Sequence, residues 1–212
     1  NEGKFKEVEY FLKGLRAPLF KLVNFKSKDK FSCPICKYHG PFMDKNNRLR
    51  AKCPKCGELE RARLARLVLD KIYDDKKAAE TDVLHISPEN SLRKFFKKRF
   101  KSYISSDLYR KDVDHQFDIE EIPYPNKSFD LVFASHVLEY VRNDKKAIRE
   151  IQRVLRPGGL AFLPVPMLHE KTIDFEERPL NKRIIRETGI DYFDRYRDVF
   201  IEVEVYDPSS FD

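Results

Sequence analysis

The stretch Pro125-Asn126-Lys127-Ser128-Phe129-Asp130-Leu131-Val132-Phe133-Ala134-Ser135-His136-Val137-Leu138-Glu139 decides how this chain is read. Asn126-Lys127-Ser128 is turn chemistry. Phe129 to Ala134 is a short apolar run rich in β-formers, which predicts a buried strand, and Ser135-His136 set polar groups at its carboxyl end. Downstream, Ala147, Ile148, Ile151, Val154 and Leu155 recur at helical spacing. Pro157-Gly158-Gly159 predicts the helix stop, and Leu160-Ala161-Phe162-Leu163 another strand.

Upstream, the same alternation holds. Asp82-Val83-Leu84-His85-Ile86 reads as a strand, Ser87-Pro88-Glu89-Asn90 as a turn, and Leu92, Phe95, Phe96 and Phe100 as the stripe of a helix. Tyr103-Ile104-Ser105-Ser106-Asp107 predicts a second strand ending on a carboxylate, and Val199 to Tyr206 a sixth strand. Strands alternating with helices predict an α/β fold with a Rossmann-like, doubly wound, mostly parallel sheet covered on both faces. Ligands of such sheets bind at the carboxyl ends of the strands. Four polar clusters fall on that edge: His85 to Asn90, Asp107, Asp118 with Ile119, and Ser135 with His136.

The four cysteines, Cys33, Cys36, Cys53 and Cys56, form two C-x2-C pairs separated by 16 residues. Thiolates two residues apart on a tight turn face one cation, and two such knuckles supply the tetrahedral set that structural zinc takes. A disulfide framework needs an oxidising compartment, and a thioredoxin-type pair needs one C-x-x-C in a βαβ setting, so both readings are weaker. A closed four-thiolate site leaves no position for water, so this zinc is expected to stabilise structure rather than catalyse. The chain thus divides into a basic amphipathic segment over 1–30, a zinc ribbon over 31–58, a linker helix over 59–80 and an α/β domain over 81–212.

Charge is uneven along the chain. Residues 1–60 hold 14 Lys or Arg against 7 Asp or Glu, while the remaining residues hold 28 of each, so the net charge of +7 belongs to the N-terminal region. Such a region meets an anionic partner, a membrane surface or nucleic acid, or is a solvated basic surface. From Phe5 to Phe25 apolar residues recur at helical spacing with a break at Pro18, consistent either with packing onto the main domain or with lying on an anionic membrane surface. No apolar run approaches the roughly 18–20 residues that cross a bilayer, and a cytoplasmic location is expected. Because the chain opens at Asn1, an upstream targeting segment is left open.

Order and content of these segments resemble the class I S-adenosylmethionine-dependent methyltransferases, and more closely a subgroup with an N-terminal four-cysteine zinc ribbon. Residues 33–68 and 82–166 carry the resemblance. The stretch from Pro125 to Glu139 is similar to the family's fourth strand and following helix, and Arg153-Val154-Leu155-Arg156-Pro157-Gly158-Gly159 to its approach to the fifth. In the wider family the first loop is glycine-rich. Here Leu84 to Ser91 holds no glycine, and His85 stands where an acidic residue is usual, although the subgroup shares the His-x-x-Pro-Glu order. A turn without glycine is not expected to take positive φ freely. Tyr140 stands where the subgroup has histidine, and histidine and arginine would stand at Tyr192 and Asp194. A further hairpin strand would follow Asp212.

The resemblance implies S-adenosylmethionine as cofactor and a methyltransferase activity. It places His85, Ser87 and Glu89 at the cofactor, with Glu89 toward the methionyl amino group. Asp107 would accept from the ribose hydroxyls, and Asp118 with the Ile119 amide would meet the adenine edge. Ser135 and His136 would border the methionine moiety and the methyl. If the acceptor is a hydroxyl, His136 is the leading general base, with His169 and Asp174 behind it. The acceptor is expected to be a small molecule such as a sugar, a lipid head group or another metabolite. A non-catalytic methyltransferase-like partner subunit and an RNA-modifying methyltransferase are the alternatives.

Overall fold

A computed structural model of the chain describes residues 17–26, 29–167, 169–180 and 183–211. The chain divides into two compact units, one formed by the residues up to Tyr73 together with Tyr206–Asp212, the other by Asp74–Val205.

The first unit is built on two knuckles and two short hairpins. Strands β1 (Phe31–Ser32) and β2 (His39–Gly40) pair antiparallel around the first C-x2-C, and β3 (Met43–Lys45) pairs antiparallel with β4 (Arg48–Lys52) leading to the second. Asn46 and Asn47, both at positive φ, make the tight connection between β3 and β4, as primed hairpin turns require. Cys33, Cys53, Tyr38, Phe42 and Ala17 form a small buried cluster. Helix α1 (Glu60–Ile72) follows. Most of the expected amphipathic segment lies outside the described residues. Within it residues 17–23 are helical, and Leu19, Leu22, Val23 and Phe25 are 61–74% exposed, so these four side chains do not pack into a core.

In the second unit, α2 (Asp75–Ala78), β5 (Asp82–Ile86), α3 (Asn90–Arg99), β6 (Ser102–Asp107), β7 (His115–Gln116), β8 (Phe129–Ala134), α4 (Asp144–Val154) and β9 (Leu155–Phe162) follow in order. The strands form one five-stranded sheet of order β7-β6-β5-β8-β9, and every pairing is parallel. Strand periodicity of two sends alternate residues to opposite faces. Leu84, Ile86, Val132 and Ala134 join Ala147, Ile148, Ile151 and Val154 of α4 in one core. His85 and Phe133 point the other way, onto Phe96 of α3, with ring centroids 5.0 and 5.3 Å from it. Burial of both faces explains the nearly unbroken apolar runs of β5 and β8.

Two local readings change. The helix ends at Val154, and Pro157-Gly158-Gly159 lies inside β9 as a register shift, with Phe129 opposite Leu155 but Leu131 opposite Leu160. The glycines serve that bulge: Gly158 has φ of 76°, and a Cβ on Gly159 would come within 2.9 Å of the Arg156 carbonyl oxygen. The expected sixth strand from Val199 to Tyr206 does not form. Apolar residues there do not make a strand without a ladder partner, and Ile201 and Val205 face outward. Instead, the chain after β9 forms the short hairpin β10 (Ile173–Asp174) with β11 (Arg186–Glu187) and helix α5 (Tyr192–Arg197).

Candidate functional site

The strand order reverses direction between β5 and β8, since β6 and β7 continue on one side and β9 on the other. In sheets of this kind the crevice where ligands bind lies at such a switch point, outside the carboxyl ends of the two strands. The loop after β5 begins at Ser87, whose φ of 52° is left-handed despite the absence of glycine. The Ser87 amide donates to the Ser106 carbonyl at 2.7 Å, tying the turn to the end of β6. Across the crevice, His136 past the end of β8 is also left-handed, at 54°, and its amide donates to the Pro164 carbonyl at 2.9 Å. Non-glycine residues held in this region collect at functional sites.

His85 is wholly buried among Phe96, Tyr103 and Phe133. Its Nε2 lies 3.3 Å from Glu89 Oε2 and its Nδ1 3.2 Å from the Tyr103 hydroxyl. Burial lowers the His85 pKa, and Glu89 opposes this only in part. A neutral ring therefore donates through Nε2 and accepts from Tyr103 at Nδ1. Burial pushes the Glu89 carboxyl up, but hydrogen bonds from His85 and from Ser135 of the β8 end leave it below its ordinary value. Glu89, Ser135 and His85 thus form one connected group, in which His85 reaches the crevice only through Glu89.

Asp107 ends β6. Its Oδ1 accepts from the Tyr109 and Arg110 amides at 2.8 and 2.9 Å, which fixes the carboxylate, and Oδ2 has no hydrogen-bond partner among the described residues. Asp118 makes a similar turn, its Oδ1 accepting from the Glu120 amide at 2.9 Å, beside the buried Ile119. The His136 side chain is one-quarter exposed, with Nδ1 3.2 Å from Oε1 of the buried Glu139.

His169 and Asp174 have other partners. His169 Nε2 lies 3.1 Å from Glu187 Oε2. Asp174 pairs with Arg186 and Arg195; burial alone would raise its carboxyl, and the two guanidiniums bring it below its usual range. Those arginines also meet the buried Asp144: Arg195 donates to Asp144 Oδ2 at 2.6 Å, as does the Tyr192 hydroxyl, and Arg186 lies 3.3 Å from Oδ1. Arg186 Nη1 donates further to the Leu138 and Val141 carbonyls at 2.7 and 3.1 Å. Tyr192, where the resembled stretch has histidine, is therefore a buried partner of Asp144. Nothing in the local sequence marks this network, because its members are far apart in the chain.

In the first unit all four cysteine sulfurs lie within 4.8 Å of one another. Cys33 and Cys56 are 3.7 Å apart and Cys36 and Cys53 3.6 Å, far beyond a disulfide bond of about 2.05 Å and close to the edge of a tetrahedron with metal–sulfur bonds of about 2.3 Å. The knuckles match in detail. The Cys33 carbonyl accepts from the Lys37 amide and the Cys53 carbonyl from the Gly57 amide, and both Lys37 and Gly57 have positive φ.

Strand order, helices on both faces and a polar cluster at the switch point define a Rossmann-like α/β domain. Residues 73–163 match the family described as methyltransferase domain. Over 107 residues the chain is 36% identical to 27-O-demethylrifamycin SV methyltransferase of Amycolatopsis mediterranei (strain S699), covering 45% of this chain and 39% of that protein. It is 34% identical over 87 residues to malonyl-[acyl-carrier protein] O-methyltransferase of Enterobacter lignolyticus (strain SCF1), covering 37% and 35%. The chain thus spans less than half the length of these relatives. The fold is also that of the crystal structure of the [4+2]-cyclase SpnF, with a TM-score of 0.50 at 18% identity over 78% of this chain and 63% of that one. No helix among the described residues is long and apolar enough to cross a membrane.

Proposed function

We propose that Asp74–Val205 binds S-adenosylmethionine at the carboxyl ends of β5, β6 and β8 and methylates a small-molecule acceptor. The observation that carries this reading is Asp107: a carboxylate immobilised through Oδ1, with Oδ2 unpartnered at the sheet edge. It offers an acceptor for ribose hydroxyls. Glu89, aligned by His85 and Ser135, would hold the cationic amino group. Ser87 would line the turn, and Asp118 with the Ile119 amide the adenine edge. When bound, S-adenosylmethionine supplies a methyl group on a sulfonium, ready for in-line displacement. The residues around it mainly align the acceptor and take its proton. His136 would accept the proton from an acceptor hydroxyl. The methyl acceptors of the similar rifamycin and malonyl-carrier enzymes support a metabolite acceptor.

Cys33, Cys36, Cys53 and Cys56 would hold one structural zinc, a reading supported by the spacing of their sulfurs. Isothermal calorimetry on the zinc-loaded chain tests the main reading. Binding of S-adenosylmethionine that weakens in Asp107→Asn supports it. No binding with zinc retained overturns it in favour of a non-catalytic methyltransferase-like protein.

A further inference from the structure

Glu139 carries chemistry that no sequence motif assigned to it. It sits on the short 3-10 turn Leu138–Tyr140, and its side chain is 3% exposed. Oε1 meets His136 Nδ1 at 3.2 Å, while Oε2 is buried with no hydrogen-bond partner. Among the described residues, the imidazole is therefore the only hydrogen-bonding partner of a buried carboxylate. A purely structural glutamate would be expected to cap amides or pair with a guanidinium, because a buried, half-satisfied carboxylate is costly.

We infer that Glu139 is the positioning residue for His136, fixing the imidazole with its proton on Nδ1 so that Nε2 presents the lone pair to the acceptor. The inference rests on the reading of His136 as the general base. Both ends of the pair are mounted rigidly. His136 is held by its amide on Pro164, and the Glu139 backbone by the Ile185 amide at 3.0 Å on its carbonyl oxygen. Arg186 grips the carbonyls on either side, at Leu138 and Val141. Proton flow is complete within the pair. The acceptor O–H bond would break toward Nε2, the oxygen would use the freed electron pair to bond the methyl carbon as the methyl–sulfur bond breaks with its pair left on sulfur, and the resulting imidazolium would face the Glu139 carboxylate. A buried carboxylate in that place stabilises the protonated ring without itself taking the proton.

The tautomer can be read without knowing the acceptor. Nitrogen-15 NMR of histidine-labelled protein, with the His136 signal identified from His136→Gln, should show neutral His136 protonated at Nδ1. In Glu139→Ala the ring should pass mainly to the Nε2–H form. In the near-isosteric Glu139→Gln, whose amide donates as well as accepts, the Nδ1–H fraction should fall to about half or less. An Nε2–H ring in the wild type, or a fraction unchanged in the Gln variant, overturns the proposal even if S-adenosylmethionine binds. An Nδ1–H ring in a protein that fails to bind S-adenosylmethionine upholds the pairing and instead removes the methyltransferase reading it was meant to serve.

Discussion

Ser87 and His136 lie just past the carboxyl ends of the adjacent parallel strands β5 and β8, and each holds a left-handed backbone, at φ of 52° and 54°. In an L-residue this conformation costs about 1–2 kcal/mol. Ser87→Gly should relieve that strain and raise stability by up to about 1 kcal/mol, while Ser87→Val should lower it by a similar or larger amount. Urea unfolding of both variants checks this; equal destabilisation would mean that the turn does not need a left-handed residue.

Asp107→Asn separates the two oxygens of that side chain. The amide oxygen can keep the bonds to the Tyr109 and Arg110 amides, so the turn should survive, but an NH2 replaces the unpartnered Oδ2. Affinity for S-adenosylmethionine should fall by about 1.5–3 kcal/mol, roughly ten- to a hundredfold, with little change in melting temperature. Unchanged affinity would mean that the ribose site lies elsewhere.

Arg186→Leu removes a buried guanidinium from Asp144 and from two backbone carbonyls. Breaking one side of a buried pair typically costs about 3–5 kcal/mol. Chemical denaturation should show a loss of that size. A loss below about 1 kcal/mol would mark the network as peripheral to stability.

His85 sets a pH dependence of known sign. Burial depresses its folded-state pKa below the ordinary 6.5, so on acidification the unfolded chain takes up a proton before the folded one does. Its contribution is fully present above pH 6.5 and is lost as pH falls from there through the folded value. Glu89, held below its ordinary 4.5, acts in the same direction in a more acidic window. Thermal melts of wild type and His85→Gln between about pH 7.5 and 5.5 should show a shallower slope in the variant; identical slopes would assign the acid sensitivity elsewhere.

Cys53→Ser should reduce bound zinc from about one per chain to nearly none, and a strong chelator should unfold the ribbon in the wild type. Elemental analysis and amide exchange over residues 31–58 measure both effects. Full protection after metal removal would show that the knuckles stand without the ion.

Taken alone, the amino-acid order determined what depends on neighbours in the chain. The apolar runs at Asp82–Ile86, Tyr103–Asp107 and Phe129–Ala134, the helical stripe at Leu92 and Phe96, and the cysteine spacing each express a period or a turn preference within a few residues. Hence the parallel α/β sheet, and the polar clusters at its carboxyl edge, could be read before any coordinate. Tertiary structure decided the rest. Pro157-Gly158-Gly159 became a bulge because β9 must pair with β8, and Val199 to Tyr206 stayed irregular because no strand pairs with it. Ser87 took positive φ without glycine because its amide is held by the Ser106 carbonyl at the end of the neighbouring strand. Asp144, Arg186 and Arg195 found one another across more than 40 residues, and Glu139 was buried against His136. Those relationships depend on how distant segments close over each other, a free energy that no local window of sequence contains.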